Sequence, residues 1–273
     1  MTTTTPTTAP PIATPTARRG GFWMDLSSVA LRAVRLTARE PEAVIPALII
    51  PIFFFIVNVG ALQDFVESNA PPGFDFKAFQ LPVAIIFAVT GVSRAPSLVI
   101  DIQDGYFDRL LLTPIRRSTL LLGCMVADFT LVVSLSIPVV ILGLLLGVEF
   151  ATGFLGIVVF MFNGALWGVA FTGFPYAIAL KTGSPGAVNA SFLLFFPFAF
   201  LTTAFLPEEA LTGWLATVAS VNPVTYLLDG LRSLVLEGWE WGSLLGSLVA
   251  IVGVGLISFP LAFAALRGRV KRS

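Results

Sequence analysis

The most regular feature of the sequence is the alternation of long apolar runs with short polar segments. A helix needs about 20 apolar residues to cross the hydrocarbon core of a bilayer. We predict an all-α integral membrane protein whose transmembrane domain, residues 21–266, lies between a disordered Thr/Pro-rich tail at 1–20 and a basic cytoplasmic tail at 267–273. Its six predicted spans are residues 43–62, 81–100, 118–147, 153–180, 188–206 and 243–266.

The basic residues give the six predicted spans an orientation, because Lys and Arg are enriched in cytoplasmic segments of membrane proteins. With a cytoplasmic N-terminus, only Lys77 and Arg232 of the 16 basic residues fall on the outer side, and Arg94 falls within the second span. We therefore predict that both ends of the chain are cytoplasmic, although the formal net charge is zero.

Two further segments have the period of an amphipathic helix without the length of a span. Residues 22–40 place aromatic and aliphatic side chains on one face and arginines on the other. This pattern predicts an interfacial helix that contacts membrane lipids, with its arginines at anionic headgroups. On the outer side, residues 207–241 predict two short interfacial or re-entrant helices, which Asn222-Pro223 separates because the residue before proline disfavours the α conformation.

The polar segment DIQDGYFDRLLLTPIRR, residues 101–117, lies between the second and third predicted spans. On a helical projection its aromatic side chains and two of its leucines share an arc of about 140°. A passive connection needs only a few residues, so we expect a helix whose apolar face is covered by lipid headgroups or by a partner protein. The alternative is a loop whose charges only keep it on the cytoplasmic side. The candidate residues are Asp101, Asp104, Gly105, Tyr106, Phe107, Asp108, Arg109, Leu110, Leu111 and Pro114.

Polar side chains inside the predicted spans are further candidates. Arg94 and Asp128 are the charges within spans, where an isolated charge costs about 2.5–3.5 kcal/mol, and we hypothesise that they pair. The alternative is that Arg94 extends to the cytoplasm. A row of polar side chains along the fourth span either lines a substrate path or joins helices through hydrogen bonds. This row consists of Asn163, Trp167, Thr172 and Tyr176.

The composition excludes several kinds of chemistry. The sequence has no histidine and one cysteine, Cys124, so a histidine-ligated metal site, a Cys–His dyad and an internal disulfide are excluded, and we predict no metal site. An intramembrane enzyme would need a nucleophile with a base or a pair of buried acids, and Asp128 alone is no such pair. No basic cluster is interleaved with aromatic residues in a polar domain, so we expect no nucleic-acid partner.

Two motifs resemble one family of membrane proteins. The pattern D-x-x-x-G-x-x-D-R-L-L-x-T-P-x-x-R, from Asp101 to Arg117, is similar to the cytoplasmic loop of ABC-2 type transporter permeases. The run FLPEEALTGWLATVASVNPVTYLLDGLR is similar to an outer segment of that family, and its matching residues include Trp214, Asn222, Pro223, Asp229 and Arg232. The order and spacing resemble most the daunorubicin-resistance-like drug exporters, and the resemblance covers nearly the whole chain after residue 20.

The resemblance implies a permease in the plasma membrane of a bacterium, paired as a homodimer or heterodimer. It also implies that two copies of a separate ATPase bind below it, with the helix at 101–117 docked into each. The sequence has no G-x-x-x-x-G-K-[ST] loop, so we expect ATP and Mg²⁺ to be bound by the ATPase, with no cofactor or enzyme activity in this chain.

The implied substrate is a small hydrophobic or amphipathic compound, a drug or a lipid-like molecule, that the permease exports. Export of a lipid-linked glycan or polysaccharide is the alternative within transport. Outside transport, the alternative is a membrane scaffold or sensor, which would need no ATPase.

Overall fold

The computed structural model describes residues 21–37, 41–90, 92–111, 117–205 and 211–270, and this part of the chain is helical throughout, with no strand. A 3₁₀ turn, Phe192–Leu194, and a π turn, Ser233–Glu237, interrupt the series of α-helices. The α-helices are α1 (Phe22–Thr37), α2 (Pro41–Asn69), α3 (Phe76–Thr90), α4 (Ala95–Gln103), α5 (Tyr106–Leu111), α6 (Arg117–Leu145), α7 (Gly153–Thr182), α8 (Pro185–Ser191), α9 (Phe195–Phe200), α10 (Trp214–Val221), α11 (Pro223–Arg232) and α12 (Trp241–Val270).

Five stretches of the described chain are long and apolar enough to cross a membrane, and each contains most or all of one predicted span. The sixth predicted span, 188–206, coincides in part with a shorter apolar stretch, Pro185–Phe200, which combines α8, the 3₁₀ turn and α9. The count of six and the orientation of the bundle therefore stay predictions. The five stretches are Ile45–Asn69, Phe76–Gln103, Ser118–Leu145, Gly153–Thr182 and Trp241–Val270.

Helix α7 lies at the centre of the bundle, where it packs against α3, α6 and α12. The approach of α7 to α12 is close because Gly173 has no side chain: a Cβ there would lie 2.6 Å from the backbone carbon of Ser258. The Ser258 hydroxyl donates a hydrogen bond to the Ala170 carbonyl of α7. Small residues at such a crossing let two membrane helices gain van der Waals contact along their backbones.

The two short helices predicted within residues 207–241 are confirmed, with the break at the predicted place, while their position on the outer side of the membrane stays a prediction. Helix α10 ends at Val221 and α11 begins at Pro223. Helix α11 packs inside the bundle, where Leu227 and Leu231 are fully buried. It lies against α12 because Gly230 leaves room for Ser247, whose Cβ would be 2.6 Å from a Cβ at that glycine.

Helix α1 forms in the predicted N-terminal segment, but part of its apolar face contacts protein. Ala30 is buried, and Val29 lies against Gly123 of α6, where a larger residue would overlap the valine side chain. Met24 and Leu31 stay exposed. The side chains of Phe22 and Trp23 lie outside the described set, so their lipid contact stays a prediction.

Candidate functional site

The helix of the second predicted span is interrupted next to Arg94. Helix α3 ends at Thr90 and α4 begins at Ala95, and Arg94 precedes α4 without a side-chain cap of its own. The Arg94 backbone N–H instead donates a 2.8 Å hydrogen bond to Oδ1 of Asp128 on α6. Because the first N–H groups of a helix have no partner within the helix, Asp128 satisfies the start of α4 from a neighbouring helix.

Asp128 also joins α6 to the central helix. Its second carboxyl oxygen, Oδ2, accepts a 2.7 Å hydrogen bond from the hydroxyl of Tyr176 on α7, and both side chains are fully buried. Arg94 is buried as well. The structure therefore brings Arg94 and Asp128 together through the arginine backbone, while the pairing of their side-chain charges stays a prediction.

The segment after the interruption is not the single helix that the projection predicted. Helix α4 continues to Gln103, so that Asp101 belongs to the same helix as the end of the second span. Asp104 and Gly105 form a turn, and Gly105 has a φ of 69°, a left-handed conformation that glycine adopts without steric cost. The six-residue helix α5 follows, and Pro114 lies outside the described residues.

The apolar face of α5 is covered by the chain itself. Phe107 is 3% exposed and belongs to a buried cluster with Ile102 of α4 and Leu121 of α6, and Leu110 packs against the same cluster. The expectation that lipid or a partner covers this face is therefore wrong for Phe107. A helical projection shows which side chains share a face but not which helix lies opposite. The side chains of Asp108 and Leu111 are outside the described set.

Polar side chains form the exposed side of this region. Gln103, Asp104 and Arg109 are exposed around the turn between α4 and α5. Gln103 Nε2 donates a 3.0 Å hydrogen bond to the Gly183 carbonyl at the end of α7. The surface that the turn offers to another molecule is thus charged and polar.

Arg32 of α1 contacts both sides of the turn. Its guanidinium lies 3.4 Å from Oδ1 of Asp101, and its Cζ lies 4.0 Å from the ring centroid of Tyr106. Both charged groups are partly exposed, so the ion pair contributes about 0–1 kcal/mol and the cation–π contact about 0.5–1 kcal/mol. The sequence pattern does not predict this contact, because an arginine on the polar face of an amphipathic helix is expected to meet lipid headgroups.

Each residue of the polar row on α7 is buried and donates a hydrogen bond within the protein. Trp167 Nε1 reaches the Thr90 hydroxyl of α3 at 3.0 Å, and Asn163 Nδ2 reaches the Ser247 hydroxyl of α12 at 2.8 Å. Thr172 bonds the Val169 carbonyl of its own helix. The bonds of Asn163, Trp167 and Tyr176 join α7 to other helices, as the helix-packing alternative expects, and the substrate path stays a prediction.

Asn222 holds the outer segment in place. Its Oδ1 accepts the Val224 N–H at 2.9 Å and thereby caps α11, which Pro223 begins. Its Nδ2 donates to the carbonyls of Phe198 and Leu201, at 2.7 and 2.8 Å. The Asn-Pro break is therefore a tertiary contact as well as a helix start. Trp214, in contrast, is largely exposed on α10.

Arg232 fixes the end of α11 to α3 and to the residues that follow α9. Its guanidinium donates to the Phe79 carbonyl of α3 and to Thr203 and Ala204, and it lies 3.5 Å from the centroid of the Phe79 ring. Burial lowers the pKa of Arg232 to about 9, and the negative charge of Asp229 acts in the opposite direction. The side chain therefore keeps its charge at neutral pH.

Comparisons with known proteins decide the family. The model of the ABC-2 type transporter family matches residues 25–236, which include the interruption, the turn and the outer segment. The chain belongs to the ABC-2 type transporter family. It is a multi-pass membrane protein of the permease type in ABC transporters.

Two relatives of this ABC-2 chain are named for drug resistance. The daunorubicin resistance ABC transporter permease protein DrrB1 of Streptomyces coeruleorubidus is 28% identical over 253 residues, covering 89% of this chain and 84% of the relative. The probable doxorubicin resistance ABC transporter permease protein DrrC of Mycobacterium tuberculosis is 23% identical over 232 residues, covering 84% of each chain. The predicted resemblance is confirmed.

Proposed function

We propose that this chain is the transmembrane subunit of an ABC exporter that moves a hydrophobic or amphipathic compound out across a bacterial plasma membrane. A separate ATPase supplies the energy, and ATP and Mg²⁺ bind to that ATPase. The family match over residues 25–236 carries the proposal. Six spans with both ends cytoplasmic, and two permease chains in each transporter, belong to the same proposal.

The substrate class is supported by the relatives and by one groove. Two relatives are named for resistance to daunorubicin or doxorubicin. A groove of about 640 Å³ lies between α7 and α12 near the outer end, with Phe162 and Trp241 among its apolar lining residues. Asn163 is the polar residue of the lining. Such a site suits an apolar, aromatic body.

The ATPase contact is assigned to the turn between α4 and α5, with its exposed residues Gln103, Asp104 and Arg109. A movement of this turn reaches α7 through two contacts. The first is the hydrogen bond from Gln103 to Gly183, and the second is the Asp128 carboxyl group, which joins the start of α4 to Tyr176. In this way ATP-driven movement at the turn changes the packing of the central helix.

Transport in proteoliposomes tests the proposed function. The chain is purified with an ABC ATPase chosen by a phosphate-binding loop in a neighbouring coding sequence, reconstituted, and supplied with ATP and a fluorescent anthracycline such as doxorubicin. We expect ATP-dependent movement of the drug that is lost when the catalytic glutamate of the ATPase is replaced. A lipid-linked glycan is offered as the competing substrate in a parallel assay. Transport of the glycan without the drug would overturn the substrate class, and transport of neither would favour a scaffold or sensor.

A further inference from the structure

Two apolar grooves run along the contact between α7 and α12. Both run toward the end of the bundle that carries Lys181, Arg267 and Arg269, which we call the basic end. The first encloses about 670 Å³ and follows every fourth residue of α12, through Gly255, Phe259 and Phe263 to Arg267. The second encloses about 640 Å³ and ends at Lys181 and Arg269. Ala264 lines both grooves and separates them.

Each groove therefore combines an apolar body with a basic end. Lys181 and Arg267 are exposed where α7 ends and α12 nears its last turn. The guanidinium of Arg269 lies next to Gly183, which follows the last residue of α7. In the predicted orientation this end is cytoplasmic, so the basic groups lie at the level of lipid headgroups.

The first groove is long enough to hold an acyl chain of one leaflet. Its lining on α12 runs from Ile251 to Arg267, over which the helix rises by about 24 Å, at about 1.5 Å per residue. The hydrocarbon of one leaflet is about 15 Å deep, half of the full core. A chain that lies in this groove can thus extend to the middle of the bilayer while its headgroup stays at Arg267.

We infer that these grooves bind an anionic phospholipid of the leaflet at the basic end, with one acyl chain in each groove on either side of Ala264. Its phosphate contacts Arg267 and Lys181. Charge complementarity selects this occupant, because basic pockets between membrane helices on the cytoplasmic side favour acidic headgroups. A second copy of the chain would place its own basic end in the same region and would meet like charge, and a neutral substrate would gain nothing from the arginine and the lysine.

Native mass spectrometry of the purified full-length chain in detergent tests the inference, with phosphatidylglycerol and phosphatidylcholine of identical acyl chains as probes. The charge variant combines Lys181→Gln with Arg267→Gln. It keeps Arg269 of α12, which lies next to Gly183. Its control combines Lys181→Arg with Arg267→Lys, which exchanges the two side chains and keeps both positive charges. The groove variant is Ala264→Trp, and its control is Val249→Trp, on the exposed face of α12.

We expect the wild-type chain to bind phosphatidylglycerol in preference to phosphatidylcholine. The charge variant should lose about thirtyfold in affinity for phosphatidylglycerol, since two basic contacts are removed. Ala264→Trp should lose binding of the lipid with all charges intact, and both controls should bind as the wild type does. Soluble sn-glycerol 3-phosphate should not displace the lipid, because it has no acyl chain.

Three results would overturn the inference: equal binding of the two lipids, a charge control that loses as much as the charge variant, or an Ala264→Trp variant that binds normally. Normal binding by the Ala264→Trp variant would show that headgroup charge alone attracts the lipid and that the acyl chains do not occupy the grooves. Circular dichroism of each variant identifies a failure to fold. If the charge variant does not fold, lipid binding by Ala264→Trp tests the inference by itself. The measurement needs neither ATPase nor transport, so its outcome is independent of the proposed function.

Discussion

The hydroxyl of Tyr176 donates a 2.7 Å hydrogen bond to Oδ2 of Asp128, in a site where neither side chain is exposed. The other carboxyl oxygen accepts the Arg94 N–H at the start of α4. A single acidic side chain on α6 thus connects the interruption of the second span with the central helix. Its contacts are one of the two routes from the proposed ATPase-binding turn to the central helix.

Replacing Tyr176 with phenylalanine should destabilise the protein while keeping the ring in place. Hydrogen bonds between membrane helices contribute about 0.6 kcal/mol on average and up to about 1.7 kcal/mol. We expect a loss near the upper value, because the acceptor is a buried carboxyl group. Thermal denaturation of the purified chain measures it. Thr172→Val is the control, since Thr172 bonds only within its own helix, and equal losses in the two variants would contradict the role of Asp128.

Replacing Arg32 with glutamine should release α5 without unfolding the bundle. The ion pair with Asp101 and the contact with Tyr106 are partly exposed, so we expect a loss of at most about 1 kcal/mol in global stability. Hydrogen exchange of residues 106–111 should nevertheless become faster, because α5 is short and Arg32 links it to α1. Arg35→Gln removes a neighbouring exposed charge of α1 as the control. Unchanged protection of α5 in the Arg32 variant would refute this assignment.

Replacing Arg232 with methionine should destabilise the outer face. The substitution removes the guanidinium donor of the Thr203 carbonyl group, and a buried unsatisfied polar group costs about 1–3 kcal/mol. Arg232→Lys should recover only part of this loss, because an ammonium group cannot reproduce the fork of a guanidinium. Denaturation midpoints give the comparison, with Lys77→Met as a control for loss of an outer basic residue. A full recovery by lysine would show that charge alone matters at this position.

Replacing Gly173 with alanine should disrupt the crossing of α7 and α12. The added Cβ would lie 2.6 Å from the backbone of Ser258, and the backbone shift that relieves such overpacking costs about 1–3 kcal/mol. Gly253→Ala on α12 is the matched control, because a Cβ there has no neighbour within 4 Å. Denaturation of the two variants in the same detergent should separate them clearly. Similar stability of both would mean that the helices do not approach as closely as described.

The sequence predicted much of the fold because apolar length and helix breaks are local properties. Five predicted spans fall in stretches that can cross a membrane, and the break at Asn222-Pro223 is where α10 and α11 separate. The stretch at 188–206 was harder to predict, since composition alone does not show that its helix is divided by a 3₁₀ turn and ends at Phe200.

The contacts of the candidate site could not be predicted, because each depends on elements that are distant in the sequence. The projection grouped Phe107 with an apolar face, but only the fold shows that α4 and α6 cover it. Likewise, Arg32 had the pattern of a headgroup contact, and its position over Tyr106 follows from the packing of α1 on α6. Asp128 was recognised as unusual, while its bond to the backbone of Arg94 has no signal in the sequence.

Burial of Phe107 also determines which residues test the proposed ATPase contact. An acidic substitution at Phe107 would place a charge in the buried cluster and disturb the fold as well as any docking. Asp104 and Arg109 are exposed at the turn, so reversing their charges changes the surface alone. Asp64→Lys, at an exposed position on the other side of the membrane in the predicted orientation, reverses a charge away from the turn.

The most direct test of the central claim is the affinity of the chain for an ABC ATPase chosen by a phosphate-binding loop in a neighbouring coding sequence, measured by titration in nanodiscs. We expect the wild-type chain and Asp64→Lys to bind the ATPase equally, and the double variant Asp104→Arg with Arg109→Glu to bind at least about tenfold more weakly, a loss of about 1.4 kcal/mol. Failure of the wild-type chain to bind any such ATPase, or equal binding by the double variant, would contradict the claim that the turn between α4 and α5 couples this permease to its ATPase.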